Sequence, residues 1–339
     1  MTYAYIPLPK NPRVLFMGTP DFAVPSLRAL HNWCQAQGGE VVAVVSQPDR
    51  PKGRGNKLQR TPVASAADEL GLTCYQWPRL SQTSYDILSD LHYDLAVVIA
   101  YGKLLPSRYL HLPSWGCINL HASLLPAYRG AAPIQWAIIH GERETGVSVM
   151  RLDEGMDTGP VAHIKRMIIH DDDHAETLFS RLSDLSAEAL CEVLDKWVSA
   201  DLDNPLQFIP QDETCSSHAP MLTKEDGQLD WNRTARSLFN LIRGVKAWPV
   251  GQAVIKEGIL KVLSSEAWTE EQLRAQYSEE LIQNEVGTII DLTSQGPLIR
   301  CREGALLLTR VQRPSKQATS GGDFCRGYAL NVGNLLSES

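Results

Sequence analysis

Val14-Leu15-Phe16-Met17-Gly18-Thr19-Pro20-Asp21 is a short apolar run broken by a turn, and Phe22–Leu30 then carries apolar residues at helical spacing. The same alternation continues outward. Val41–Val45, Leu95–Ala100 and Gly116–Leu120 are further buried-strand candidates. Thr61–Leu70 and Ala131–His140 read as helices, with Pro62 suited to a first helical turn. Gly146–Leu152 and Val161–Ile169 are β-rich. Such alternation predicts an α/β domain with a mainly parallel sheet covered on both faces, ligands lying beyond the C-terminal strand ends. Ala175–Trp197 reads as a long amphipathic helix, and the polar, Pro-containing Asp201–Pro220 as an inter-domain linker. Beyond it, a helical stretch at Thr234–Arg243 precedes short β-like runs: Val250–Ile255, Ile259–Leu263, Glu285–Ile290, Leu298–Arg300 and Ala305–Val311. They predict a small β-barrel-like second domain.

A length of 339 residues fits two domains, and a 43% hydrophobic, 21% charged composition excludes wholesale disorder. No apolar stretch reaches 18 residues, and the N-terminal MTYAYIPLPKNPR lacks the basic start and apolar core of a signal peptide. A short tail on a cytoplasmic protein, with no membrane association, is expected. The net charge of −7 argues against a non-specific nucleic-acid coat, although it leaves room for a local basic patch. The seven cysteines are scattered without a Cys-x-x-Cys pair, so free thiols are expected rather than a disulfide framework or a zinc cluster.

Chemistry concentrates in Cys117-Ile118-Asn119-Leu120-His121-Ala122-Ser123-Leu124-Leu125-Pro126. If Ile118–His121 ends a strand, Asn119 and His121 share a face, because side chains alternate with period two. An Asn amide can stabilise an oxyanion, and His can move a proton near neutral pH; two capping polar groups are the plain alternative. The loop Asp153-Glu154-Gly155-Met156-Asp157-Thr158-Gly159-Pro160 can fold a carboxylate back onto His121, although Asp and Gly are also ordinary turn residues. Arg129, in Tyr128–Pro133, is either near the same mouth or a solvated cation. Gln47–Arg60 holds five cations (Arg50, Lys52, Arg54, Lys57 and Arg60) against the single acid Asp49, in a Gly- and Pro-rich exposed loop suited to phosphate contacts. Gly18-Thr19-Pro20 is not a GxGxxG turn, and Pro20 removes an N–H that a pyrophosphate would use, which disfavours a dinucleotide enzyme. GxxxxGK[ST], HExxH and GxSxG are absent too.

Taken together, Phe16–Ala23, Gln47–Gly55, Ala100-Tyr101-Gly102, Asn119–Pro126, Tyr128–Ile134 and Asp153–Gly159 resemble the methionyl-tRNA formyltransferase family. So do Leu222–Gly227, Asp230-Trp231-Asn232, Ile242-Arg243-Gly244 and Trp248-Pro249, so the resemblance runs from about Arg13 to Leu335. Met221, Ala247 and His218 depart from the family pattern, all outside the expected chemistry. The resemblance implies a tail at 1–12 and a Rossmann-like, folate-binding catalytic domain at 13–203. A linker at 204–222 and an OB-like, tRNA-binding domain at 223–339 would follow. It also implies catalytic roles for Asn119, His121 and Asp157, and folate contacts from Ser123, Leu124, Leu125 and Pro126. The basic stretch would take the acceptor stem, with Arg54 foremost. The implied donor is 10-formyltetrahydrofolate, without metal, and the acceptor is methionyl initiator tRNA; a monomer is expected. Protonated His121 would join Asn119 in stabilising the oxyanion. Glu266–Glu285, with six acids and one base, is expected to be a solvent-facing excursion. Rival readings are another formyltransferase, acting on glycinamide ribonucleotide, formyltetrahydrofolate or a nucleotide sugar, and a non-catalytic RNA-binding protein.

Overall fold

The computed structural model describes residues 7–52, 57–201 and 203–338, and the chain forms two compact units. The first comprises the residues up to Pro133, Glu144–Ile168 and Phe179–Ala219; the second comprises Ile134–Arg143, Ile169–Leu178 and the residues from Pro220 onward.

From the N-terminus, β1 (Arg13–Gly18) leads into α1 (Val24–Ala36) and β2 (Glu40–Ser46). A two-stranded antiparallel ribbon, β3 (Arg50–Lys52) and β4 (Lys57–Gln59), precedes α2 (Pro62–Glu69), β5 (Cys74–Gln76) and α3 (Gln82–Asp90). Then come β6 (Leu95–Ile99), α4 (Ser107–Leu110), β7 (Cys117–His121), α5 (Pro133–His140), β8 (Glu144–Arg151), β9 (Val161–Ile168) and α6 (Ala175–Val198). Sequence chemistry explains the boundaries. Every residue of the Leu-Ala-Val-Val-Ile run in β6 is buried, as a parallel strand sandwiched between layers requires. The Thr61 hydroxyl accepts from Ala64 N at 3.2 Å, capping α2, and Pro62 occupies its first turn.

The first unit's sheet has the order β5-β2-β1-β6-β7-β8-β9. The strands from β5 to β7 are parallel, whereas β8 and β9 add antiparallel strands at one edge. After β1 the chain builds outward to β2 and β5, then returns to lay β6 on β1's other side. That reversal opens a crevice at the C-terminal ends of β1 and β6, the place where open α/β sheets take ligands.

In the second unit, α7 (Ala235–Gly244) is capped by the Thr234 hydroxyl, which accepts from Ser237 N at 3.1 Å. There follow β10 (Gly251–Ile255), β11 (Gly258–Trp268), α8 (Glu270–Gln276), α9 (Glu279–Ile282), β12 (Ile289–Leu292), β13 (Pro297–Arg300), β14 (Ala305–Gln312), β15 (Thr319–Ser320) and α10 (Gly321–Gly327). The strands form an antiparallel sheet of order β10-β11-β14-β13-β12, with β15 on β14.

Three expectations change. The basic stretch is partly the β3–β4 ribbon rather than an open loop. The acidic Glu266–Glu285 segment is no mere solvent-facing excursion: it carries α8 and α9, whose Leu273 and Ile282 are buried with Ile290, Leu298 and Leu307. Glu271, Glu279 and Glu280 are exposed on these helices, whereas Glu270 turns inward to accept from Arg300 Nη1 at 2.6 Å and Gly304 N at 2.8 Å. The polar stretch after α6 is bonded along the first unit instead of hanging free. Ile209 and Val161 exchange two backbone hydrogen bonds of 2.8 Å, and Arg129 N donates to Ser217 O at 2.9 Å.

Candidate active site

β7 ends at the chemistry. Asn119 pairs with Val98 of β6 and Met150 of β8, and His121 pairs with Ser148, so Asn119 and His121 share one sheet face at the strand's C-terminal end. No described residue hydrogen-bonds the Asn119 carboxamide, which leaves its N–H groups available. His121 is buried at 6% exposure. Its Nε2 lies 2.8 Å from Tyr128 O and must be the donor, because a carbonyl only accepts. Nδ1 faces Asp157 Oδ2 at 3.5 Å. A ring protonated at both nitrogens therefore meets an acceptor on each side. The Nε2 proton is given to Tyr128 O, and the Asn119 carboxamide at the same strand end can offer N–H groups to an oxyanion.

Asp157 is held on three sides. Its Oδ2 accepts from Gly130 N at 2.9 Å, and its own carbonyl accepts from Gln211 Nε2 at 2.8 Å. Its backbone adopts φ +57, a left-handed conformation that Asp tolerates better than most residues. Upstream in the loop, the Asp153 carboxylate takes Gly155 N and the Thr158 hydroxyl. Gly159 permits the loop's close approach to β8, since a Cβ there would sit 1.8 Å from Arg151 O. Gly159→Ala is expected to destabilise the protein by about 1–3 kcal/mol, seen as a lower midpoint in urea unfolding.

The Ser123–Pro126 stretch folds back from β7. Ser123 is 1% exposed, and its hydroxyl donates to Ala127 O at 2.6 Å. Its side chain thus shapes the loop from within. Leu125 is buried, while Leu124 and Pro126 are half-buried. Ser148 on β8 secures the turn: its hydroxyl donates to Ser123 O at 2.7 Å and accepts from Leu125 N at 3.0 Å. The sequence signal for Ser148 was a hydroxyl within the apolar Val147–Met150 run, because a buried polar group needs partners.

Arg129 is no solvated cation; it is buried beside the Asp157 loop. Its side chain is 10% exposed and forms a bidentate pair with Glu213, at 2.8 Å on each arm, while Nε and Nη2 also reach Gln211 Oε1. The Glu213 carboxylate raises the guanidinium's pKa above its ordinary value, with burial opposing.

Beyond the ends of β1, β2 and β6, a cavity of about 550 Å³ is lined in part by Thr19, Gln47, Arg50, Arg60, Tyr101 and Lys103. Among the described residues, Gln47 Nε2 and Tyr101 Oη are buried in its wall without a well-formed hydrogen bond. Burial pushes the Tyr101 hydroxyl up to about 12. Of the five expected basic contacts, Arg50 is exposed. Arg60 is held by Asp68 (2.7 Å) and Gln76 (3.0 Å), which partly neutralises it. Arg54 and the side chains of Lys52 and Lys57 lie outside the described residues. Among the described residues, no group of three or more His, Cys, Asp or Glu side chains is placed to hold a metal ion, and no helix is long and apolar enough to cross a membrane.

A family model described as formyl transferase matches residues 12–194, and one described as formyl transferase, C-terminal domain, matches residues 221–329. The chain therefore carries both domains of a formyl transferase. A methionyl-tRNA formyltransferase of Thermodesulfovibrio yellowstonii is 39% identical over 94% of this chain and 97% of its own. One of Citrifermentans bemidjiense is 40% identical over 96% of each. The chain belongs to the methionyl-tRNA formyltransferase family. Among solved structures, the N-formyltransferase of Helicobacter canadensis, crystallised with folinic acid and dTDP-3-aminofucose, shares the fold with a TM-score of 0.61. It is 15% identical, over 87% of this chain and 98% of its own.

Proposed function

We propose that the chain, acting as a cytoplasmic monomer, transfers the formyl group of 10-formyltetrahydrofolate to the α-amino group of methionyl initiator tRNA, supplying N-formylmethionyl-tRNA for translation initiation. The His121–Asp157 pair beside Asn119 carries this reading, in a chain whose near-full-length relatives bear that enzyme's name. A free α-amino group has a pKa near about 8, so a useful fraction is neutral and needs orientation more than activation. Its nitrogen attacks the formyl carbon, and Asn119 donates to the oxygen that becomes negative. The proton leaving that nitrogen passes through His121 Nδ1, where Asp157 stabilises the imidazolium, to the folate nitrogen as its bond to the formyl carbon breaks. The Ser123–Pro126 loop borders the folate through Leu124, Pro126 and backbone groups. The acceptor stem lies against the basic ribbon, with Arg50 and Arg60 at the cavity rim.

The test supplies purified protein with the formylated folate and charged initiator tRNA, with uncharged tRNA and glycinamide ribonucleotide as controls. Formylation of the charged tRNA alone is expected, and formylation of the small amine instead would overturn the reading. Arg54→Ala is expected to lower the slope of log affinity against log salt by about one, without altering folate binding. An unchanged slope would remove the ribbon from the RNA contact.

A further inference from the structure

Gln211 lies in the polar stretch after α6, far from the catalytic residues in sequence, yet its amide joins two parts of the site. Oε1 accepts from Arg129 Nε at 3.0 Å and Nη2 at 2.8 Å, while Nε2 donates to Asp157 O at 2.8 Å and Gly159 O at 2.7 Å. The orientation is unambiguous, because one end meets only donors and the other only acceptors; a flipped amide would be repelled at both. These bonds close a ring. Arg129 continues into Gly130, whose N–H holds the Asp157 carboxylate, and the Asp157 carbonyl returns through Gln211 to the Arg129 guanidinium. Each member polarises the next.

The segment that delivers Gln211 is itself anchored on both sides. Ile209 is bonded to Val161, just past the catalytic loop, and Ser217 and Ala219 are bonded to Arg129. The ring therefore secures the one member of the Asn119, His121 and Asp157 trio that sits on a loop, in a left-handed conformation. Asp157 reaches His121 Nδ1 only at 3.5 Å, so a small shift of the loop would break their coupling. We infer that Gln211 is a positioning residue for formyl transfer: its two amide hydrogens fix the Asp157 backbone so that the carboxylate faces His121. This rests on the role given to Asp157 above.

Gln211→Glu separates this role from mere support. It keeps an oxygen on Arg129, preserving the anchor, but turns a second oxygen toward the two carbonyls that required a donor. The expected result is a 10- to 100-fold fall in kcat and an altered pH–rate profile, with KM for folate and tRNA within about threefold of the parent. In an Asp157→Asn background the same change is expected to cost less than twofold, because Gln211 acts through that carboxylate. A wild-type kcat, or a full multiplicative loss on top of Asp157→Asn, overturns the inference and leaves the proposed reaction standing. Full turnover of Asp157→Asn alone would instead overturn the proposed mechanism and this inference with it. Should Gln211→Glu fail to fold, Gln211→Met in the same cycle reads the same coupling.

Discussion

Replacing His121 with alanine is expected to lower kcat by about 10²–10³, the loss seen when a group that stabilises transition-state charge is removed. The ring does two jobs that the experiment must separate. Nε2–H satisfies the Tyr128 carbonyl in a nearly closed environment, and Nδ1 faces Asp157. Alanine removes both, leaving a carbonyl without its donor and a void beside β7. His121→Gln divides them, because a glutamine amide can still donate to Tyr128 O but cannot take up a proton. If proton movement at Nδ1 matters, the glutamine variant stays stable and is nearly as slow as the alanine variant. Single-turnover formylation with charged initiator tRNA, together with a thermal melt, makes the comparison. A glutamine variant with parental kcat would reduce His121 to a structural support.

Asp157→Asn is expected to cost about 10²-fold in kcat, at the lower end of general acid–base contributions, with modest effects on either substrate's KM. The substitution is nearly isosteric. The introduced side chain can still accept from Gly130 N through its amide oxygen, so the ring that holds the loop survives. What changes is the charge toward His121. The oxygen held by Gly130 N is also the one that faces Nδ1, so the amide leaves an acceptor there but no anion to stabilise a cation. Steady-state kcat and KM for both substrates check this, and normal turnover would remove Asp157 from the mechanism.

The sheet was legible because its central strands leave continuous apolar runs such as Leu95–Ile99, bounded by turn residues. The polar end of β7 was legible because two polar residues at period two interrupt such a run. By contrast, Cys74–Gln76 is too short to show a period, and it pairs with β2 along only three residues. The α8–α9 segment misled because charge counts report the outer face of a helix and hide the two or three apolar residues beneath it. The Arg129 reading stayed open for a related reason: its partners, Gln211 and Glu213, lie more than 80 positions away in a stretch with no periodicity. Resemblance pointed to Asn119, His121 and Asp157 but not to Ser148 or Gln211. Those residues serve through backbone groups, which leave little mark on composition or spacing.

The path of the chain after α6 also sets where this molecule can be divided. An excised N-terminal half ending at residue 203 would discard Gln211 and Glu213 while keeping the enclosed Arg129 cation that Gln211 hydrogen-bonds and Glu213 neutralises. Hybrids that exchange the C-terminal domain between relatives should therefore be spliced after Ala219, so that every chimera inherits residues 205–219 from the same parent as Asn119, His121 and Asp157.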